Sequence, residues 1–173
     1  MLKQMFIGVG IILGLCAFGV DKGDILYQND CDNAGAFGEK YQGHYRSGEG
    51  LAKDGAFHMT GFNGSNFMIV PLDPQKINGL IVFEAVVKAD NISKPEKEHL
   101  GAKLMLVVKD KSGNTQWLEP SMLKRSGSYD WETVSMQKNL PAEPQSVELY
   151  FGVQSATGDF WIDSLSVYRG KQQ

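Results

Sequence analysis

Eight consecutive residues, Val147-Glu148-Leu149-Tyr150-Phe151-Gly152-Val153-Gln154, put strongly apolar side chains at every second position and nowhere else. A period of two belongs to a strand, not to a helix, so Val147, Leu149, Phe151 and Val153 share one face and Glu148, Tyr150, Gly152 and Gln154 the other. One face must be core and the other meets solvent or ligand. The run Ile81-Val82-Phe83-Glu84-Ala85-Val86-Val87-Lys88 repeats the pattern, with apolar odd positions and with Glu84 and Lys88 marking the opposite face. Similar short runs, bounded by Gly, Pro, Asn or Asp, predict strands over residues 24–31, 56–60, 66–72, 80–88, 102–109, 115–118, 132–137, 146–154 and 159–168. Lys111-Ser112-Gly113-Asn114 supplies a hairpin turn between two of them. No repeat, heptad or long 3.6-residue stripe competes beyond the first 20 residues. The expected fold is all-β: two antiparallel sheets packed as a sandwich, closed by jelly-roll or Greek-key connections. Residues 35–55 are Gly-rich and show no strand of their own, and a loop of that length is a candidate site.

The amino terminus reads differently. Lys3 precedes an uninterrupted apolar stretch over residues 5–20, and Ala17-Phe18-Gly19 offers small residues where a signal peptidase reads. Crossing a bilayer takes about 20 apolar residues, so this run is short for a permanent span. The expected organisation is a signal peptide over residues 1–19 and a single domain over 20–173, secreted or periplasmic, with no membrane association beyond the cleaved signal. Cys16 raises lipidation as an alternative, but Leu15 stands where a small residue is wanted. A length of 173 residues suits one domain, and a net charge of −3 offers no basic footprint for nucleic acid.

Removing residues 1–19 leaves Cys31 as the one cysteine, so no intramolecular disulfide holds the fold and the core must do so. Asp30 and Asp32 flank the sulfur, raising its pKa and blunting it as a nucleophile. His44, His58 and His99 stand at no spacing that would pair one with it as a base. Cys31 is expected to be a buried small hydrophobe.

Three segments in order carry a resemblance to a known group. The first is Leu80-Ile81-Val82-Phe83-Glu84-Ala85-Val86-Val87-Lys88-Ala89-Asp90. The second is Trp131-Glu132-Thr133-Val134-Ser135, followed by Leu140-Pro141-Ala142 and the strand from Val147. The third is Gly158-Asp159-Phe160-Trp161-Ile162-Asp163-Ser164-Leu165-Ser166-Val167. From about Asp24 to Arg169 this succession resembles carbohydrate-binding modules of the family four, nine, sixteen and twenty-two type, within the galactose-binding-like group.

The resemblance implies a structural calcium at the sandwich edge, with Asp32 after the first strand and Asp163 on the last matching two of its ligand positions. Independently, calcium takes six to eight oxygens, and carboxylates from both chain ends meet only if the termini run side by side. Apolar parity also breaks at Asp163, with Phe160 and Ile162 before it and Leu165 and Val167 after, which predicts a bulge there. Glycans are held by outward aromatics that stack on sugar rings, with amides and carboxylates bonding the hydroxyls. Tyr150 points outward by parity beside Glu148 and Gln154, Trp117 lies on a short strand, and Trp161 falls outward between Phe160 and Ile162. These five are the expected ligand-binding residues, whereas Trp131 resembles a framework tryptophan and is expected in the core. Val86 departs from the pattern, because many glycan binders of this type place an aromatic there.

No HExxH, GxSxG, CxxC pair, phosphate loop or compact acidic motif occurs, so no catalytic residue is assigned. The expected function is an exported, non-catalytic module binding a polysaccharide or glycan. The alternatives are a surface structural or adhesive protein with protein partners, and a glycan hydrolase or lyase whose carboxylates lie far apart in sequence.

Overall fold

The computed structural model describes residues 22–171; the signal-peptide, cleavage and Cys16 expectations lie outside them. Among the described residues no helix is long and apolar enough to cross a membrane. Ten strands run in chain order: β1 Lys22–Asn29, β2 Tyr45–Ser47, β3 Gly55–Phe62, β4 Ser65–Leu72, β5 Leu80–Ile92, β6 Gly101–Asp110, β7 Thr115–Leu118, β8 Gly127–Asn139, β9 Pro144–Gln154 and β10 Thr157–Gly170. All pairings are antiparallel. One sheet has the order β2-β3-β10-β5-β8, with β1 also paired to β10, and the other has the order β4-β9-β6-β7. The chain switches sheets at almost every connection from β3 onward, which is the jelly-roll sandwich expected from the alternation.

The apolar faces meet between the sheets. Val147, Leu149, Phe151 and Val153 of β9 are buried, as their parity requires, and Phe160 and Ile162 of β10 face them across the core. The Phe151 and Phe160 ring centroids are 4.9 Å apart. Pairing of β10 with β5 slips between Ile162 and Ser164, so the bulge falls at Asp163 and restores Leu165 and Val167 to the core side.

Residues 35–55 hold more structure than their composition announces. A 3₁₀ helix spans Glu39–His44 and β2 follows it. The Tyr41 hydroxyl donates to the Ile69 carbonyl at 2.6 Å and accepts from the Ile69 N–H at 2.8 Å. Strand β4 is an edge, so one phenol here satisfies a backbone pair that would otherwise be open to another chain. Phe37 and Tyr45 pack edge-on against Phe57 and close that side of the core.

Two side chains test the sequence reading in opposite directions. Cys31 is fully buried, and desolvation first, then the charges of Asp163, Asp30 and Asp32, push its thiol far up. Trp131 is a correction: it is half-buried on the outer face of the larger sheet, with Lys88 over its ring. Val134 and Met136 point inward from β8, which puts the odd-numbered Trp131 outside. Alternation within the strand outranks the family likeness.

Candidate functional site

The outer face of the smaller sheet is hollow. Residues of β6 that point away from the core are nevertheless covered: Lys103 and Met105 are each 5 % exposed and Val107 is 7 % exposed. Pairing sets Ile69, Tyr150 and Met105 in one row and Pro71, Glu148, Val107 and Trp117 in the next. Phe67 lies opposite Gly152, and a Cβ at that glycine would meet the Phe67 ring at 2.9 Å and collide with the Asn66 carbonyl. The missing side chain therefore lets Phe67 lean over β9 toward Tyr150.

Three aromatic rings result in line across the groove. Tyr150 is central, with its ring centroid 5.9 Å from Phe67 and 6.0 Å from Trp117, both edge-on. Trp117 is 60 % exposed, so most of its surface faces solvent. The groove encloses about 650 Å³ and is also lined by Gln154, Glu119, Lys103 and His99. The Tyr150 hydroxyl reaches the Glu148 carboxylate at 3.4 Å, and burial followed by that carboxylate pushes the phenol up, so it remains a donor.

One end of the groove is an ion network. Lys103 Nζ donates to Glu119 Oε1 at 2.7 Å, and Arg125 donates to the other Glu119 oxygen and to the His99 carbonyl. Desolvation pushes the Glu119 carboxyl up, but the hydrogen bonds and charges of Arg125 and Lys103 outweigh it and hold the group below its ordinary range. Glu119 stays ionised, and the Lys103 that it holds lines the groove. The sequence reading did not single out Phe67 or Lys103. Phe67 was legible, since Met68, Val70 and Leu72 fix the inward parity of β4.

Four of the five expected ligand residues, Trp117, Glu148, Tyr150 and Gln154, share this face. Trp161 does not join them. It lies on the outer face of the other sheet, stacked on His58, because β10 belongs to that sheet.

The two expected metal ligands do approach each other. Asp163 is pushed up by burial and by Asp54 and Asp32, against the lowering effect of the Leu51 N–H, which donates to Oδ1 at 2.7 Å. Asp32 is pushed up as well, by desolvation and by Asp30 and Asp54. Asp54, which the sequence reading did not single out, is therefore a third acid here. A Cβ at Gly50 would fall among Asp54 Oδ1, the Gly55 carbonyl oxygen at 2.5 Å and Asp163 Oδ1 at 2.8 Å. Hard oxygens converging from three segments of the chain match calcium in kind. Among the described residues no three His, Cys, Asp or Glu side chains form a metal-holding group, so carbonyl and water oxygens would have to complete the shell.

No family model matches the sequence, and no curated relative does either. Solved structures do match. The CBM22-1 xylan-binding domain of Paenibacillus barcinonensis Xyn10C superposes with a TM-score of 0.64 at 16 % identity, over 88 % of this chain and 98 % of that one. The C-terminal family 22 carbohydrate-binding module of Clostridium thermocellum Xyn10B gives 0.55 at 17 % identity, over 88 % and 99 %. The CBM22-1-GH10 modules of endo-1,4-beta-D-xylanase 10B from the same organism, complexed with xylohexaose, give 0.61 at 12 % identity, over 84 % of this chain and 28 % of that one. The fold is that of a carbohydrate-binding module. Identities this low establish the shared sandwich and leave each module's ligand to its own side chains. The groove lies on the smaller sheet, whereas Val86 sits on the larger one.

Proposed function

We propose that this protein is an exported, non-catalytic module that holds a polysaccharide in the groove of the smaller sheet. The observation that carries the reading is the line of Phe67, Tyr150 and Trp117 across a polar-walled hollow. Sugar rings present flat C–H faces to aromatics, while Glu148, Gln154 and Lys103 exchange hydrogen bonds with hydroxyls. A structural neighbour is a xylan-binding domain and another was solved with xylohexaose, which makes β-1,4-linked xylan the first ligand to try. Calcium at Asp163 and Asp32, its shell completed by carbonyl and water oxygens, would be structural, neutralising a carboxylate just after the first strand and one on the last.

Affinity electrophoresis tests the reading. Gels containing xylan, β-linked glucans and mannans are run beside a polysaccharide-free gel. Retardation in at least one polysaccharide gel is expected, and migration unchanged in all of them would overturn the proposal.

A further inference from the structure

The outer face of the larger sheet carries a second aromatic arrangement, built as a row across four strands. His58 of β3 pairs with Trp161 of β10, and Trp161 pairs with Lys88 of β5. Trp131 of β8 stands beyond Lys88, at the slip in β5–β8 pairing between Val87 and Ala89. The His58 and Trp161 rings stack at 4.5 Å with planes 12° apart. Lys88 Nζ is 5.6 Å from the Trp161 ring centroid and 5.9 Å from that of Trp131, so it stands between the two indoles. Hollows of about 620 Å³ and 460 Å³ open on either side, the first walled by residues 48–51 and Trp131, the second by Asp90, Ser128 and Asp130.

The rings are held before any ligand arrives. Trp161 Nε1 donates to Glu49 Oε2 at 2.7 Å, which ties the indole to the 48–51 segment. His58 Nε2 lies 2.7 Å from Asp159 Oδ1, and the Thr60 hydroxyl donates to the same oxygen at 2.8 Å. Neither tryptophan serves the core, which lies on the other side of the sheet. Large aromatic groups fixed on an outer face, between hollows with both donors and acceptors, make up what a sugar site requires.

We propose that this face is a second carbohydrate-binding site, and that it takes neutral sugar rings. The Lys88 ammonium is half-buried and bonds no carboxylate among the described residues, so its protons are available to hydroxyl oxygens. Glu49, Asp90 and Asp130 line the two hollows and outnumber Lys88 and Lys53, so the face repels an acidic sugar. The two sites lie on opposite outer faces of the sandwich, separated by both sheets and the core between them, so one molecule can hold two polysaccharide chains. The second site does not rest on the first.

The protein has three tryptophans, so three indole N–H resonances, each assigned by a Trp→Phe substitution, report the two faces separately. Xylohexaose, cellohexaose, mannohexaose and hexagalacturonate are titrated into the parent and into the Trp117→Ala/Tyr150→Ala variant. The expected result is that a neutral hexaose moves the Trp131 and Trp161 signals in both proteins while hexagalacturonate leaves them in place. Lys88→Ala removes a charged hydrogen-bond donor and should weaken that response about tenfold or more without altering the Trp117 response. Absence of any shift at Trp131 and Trp161 with all three neutral sugars at millimolar concentration overturns the second site, and a response to hexagalacturonate alone overturns its neutral character. A shift at these two residues with none at Trp117 supports the second site while counting against the groove.

Discussion

Replacing Tyr150 by alanine tests the groove most directly, because Tyr150 contacts both other aromatics in it. Loss of a stacking platform costs about 1–3 kcal/mol of binding free energy, by comparison with aromatics that stack bases, which is roughly a 5- to 150-fold weaker complex. The fold is also affected: each edge-on aromatic pair contributes about 0.5–1.5 kcal/mol beyond burial, and Tyr150→Ala removes two. Trp117→Ala removes one pair from a side chain that is 60 % exposed, so it should cost little stability while weakening binding comparably. Because the two rings touch, their effects should not add. Once Tyr150 is gone Trp117 has lost the ring that orients it, and the second substitution should cost less than it does in the parent. Affinity gels with graded polysaccharide give dissociation constants for the parent, both single variants and the double variant, read beside their melting temperatures. Single variants that migrate like the parent in every gel that retards it would refute the placement of the binding face, and strictly additive losses would refute the coupling.

Asp163→Asn keeps an acceptor for the Leu51 N–H and removes the charge. Burial and the neighbouring acids push the Asp163 carboxyl up, so its contribution to stability is present below the ordinary carboxylate range near about pH 4 and is lost as pH rises through the higher folded-state value. In chelator at neutral pH the variant should therefore melt above the parent, and added calcium should raise only the parent; equal parent curves with calcium and with chelator would count against the site. Cys31 should resist alkylation at pH 8 until denaturant is added, since its thiol is buried and pushed far up; labelling of the native protein at a free-thiol rate would contradict its placement. Gly152→Ala should lower stability by about 1–3 kcal/mol, because the new Cβ meets the Asn66 carbonyl and the Phe67 ring. It should also weaken polysaccharide retention by displacing Phe67, and a variant that matches the parent in both melting and retention would show that β4 gives way freely.

How much of this was legible in the sequence depended on whether one strand sufficed to read it. Alternation in β9 and the parity break in β10 are local, so the buried set Val147, Leu149, Phe151 and Val153 and the bulge at Asp163 followed from the residues themselves. The same local rule placed Trp131 outside, and the family likeness misled only where it was allowed to override that rule. Sheet membership is not local. An outward residue on β9 and an outward residue on β10 obey identical parity, yet β9 lies in one sheet and β10 in the other, so Tyr150 and Trp161 end on opposite faces of the molecule. Nothing in either strand's own sequence distinguishes them, because the core-facing pattern is the same whichever sheet supplies it. Asp54 and the Tyr41 clamp on β4 were hidden for a related reason: each acts on a strand distant in sequence, and the segment carrying them has no apolar period to announce its path. A sandwich reveals from sequence which side chains face outward, but only its pairing decides which of them look out on the same hollow. The separation that divided the five expected ligand residues is also what gives this protein two aromatic faces.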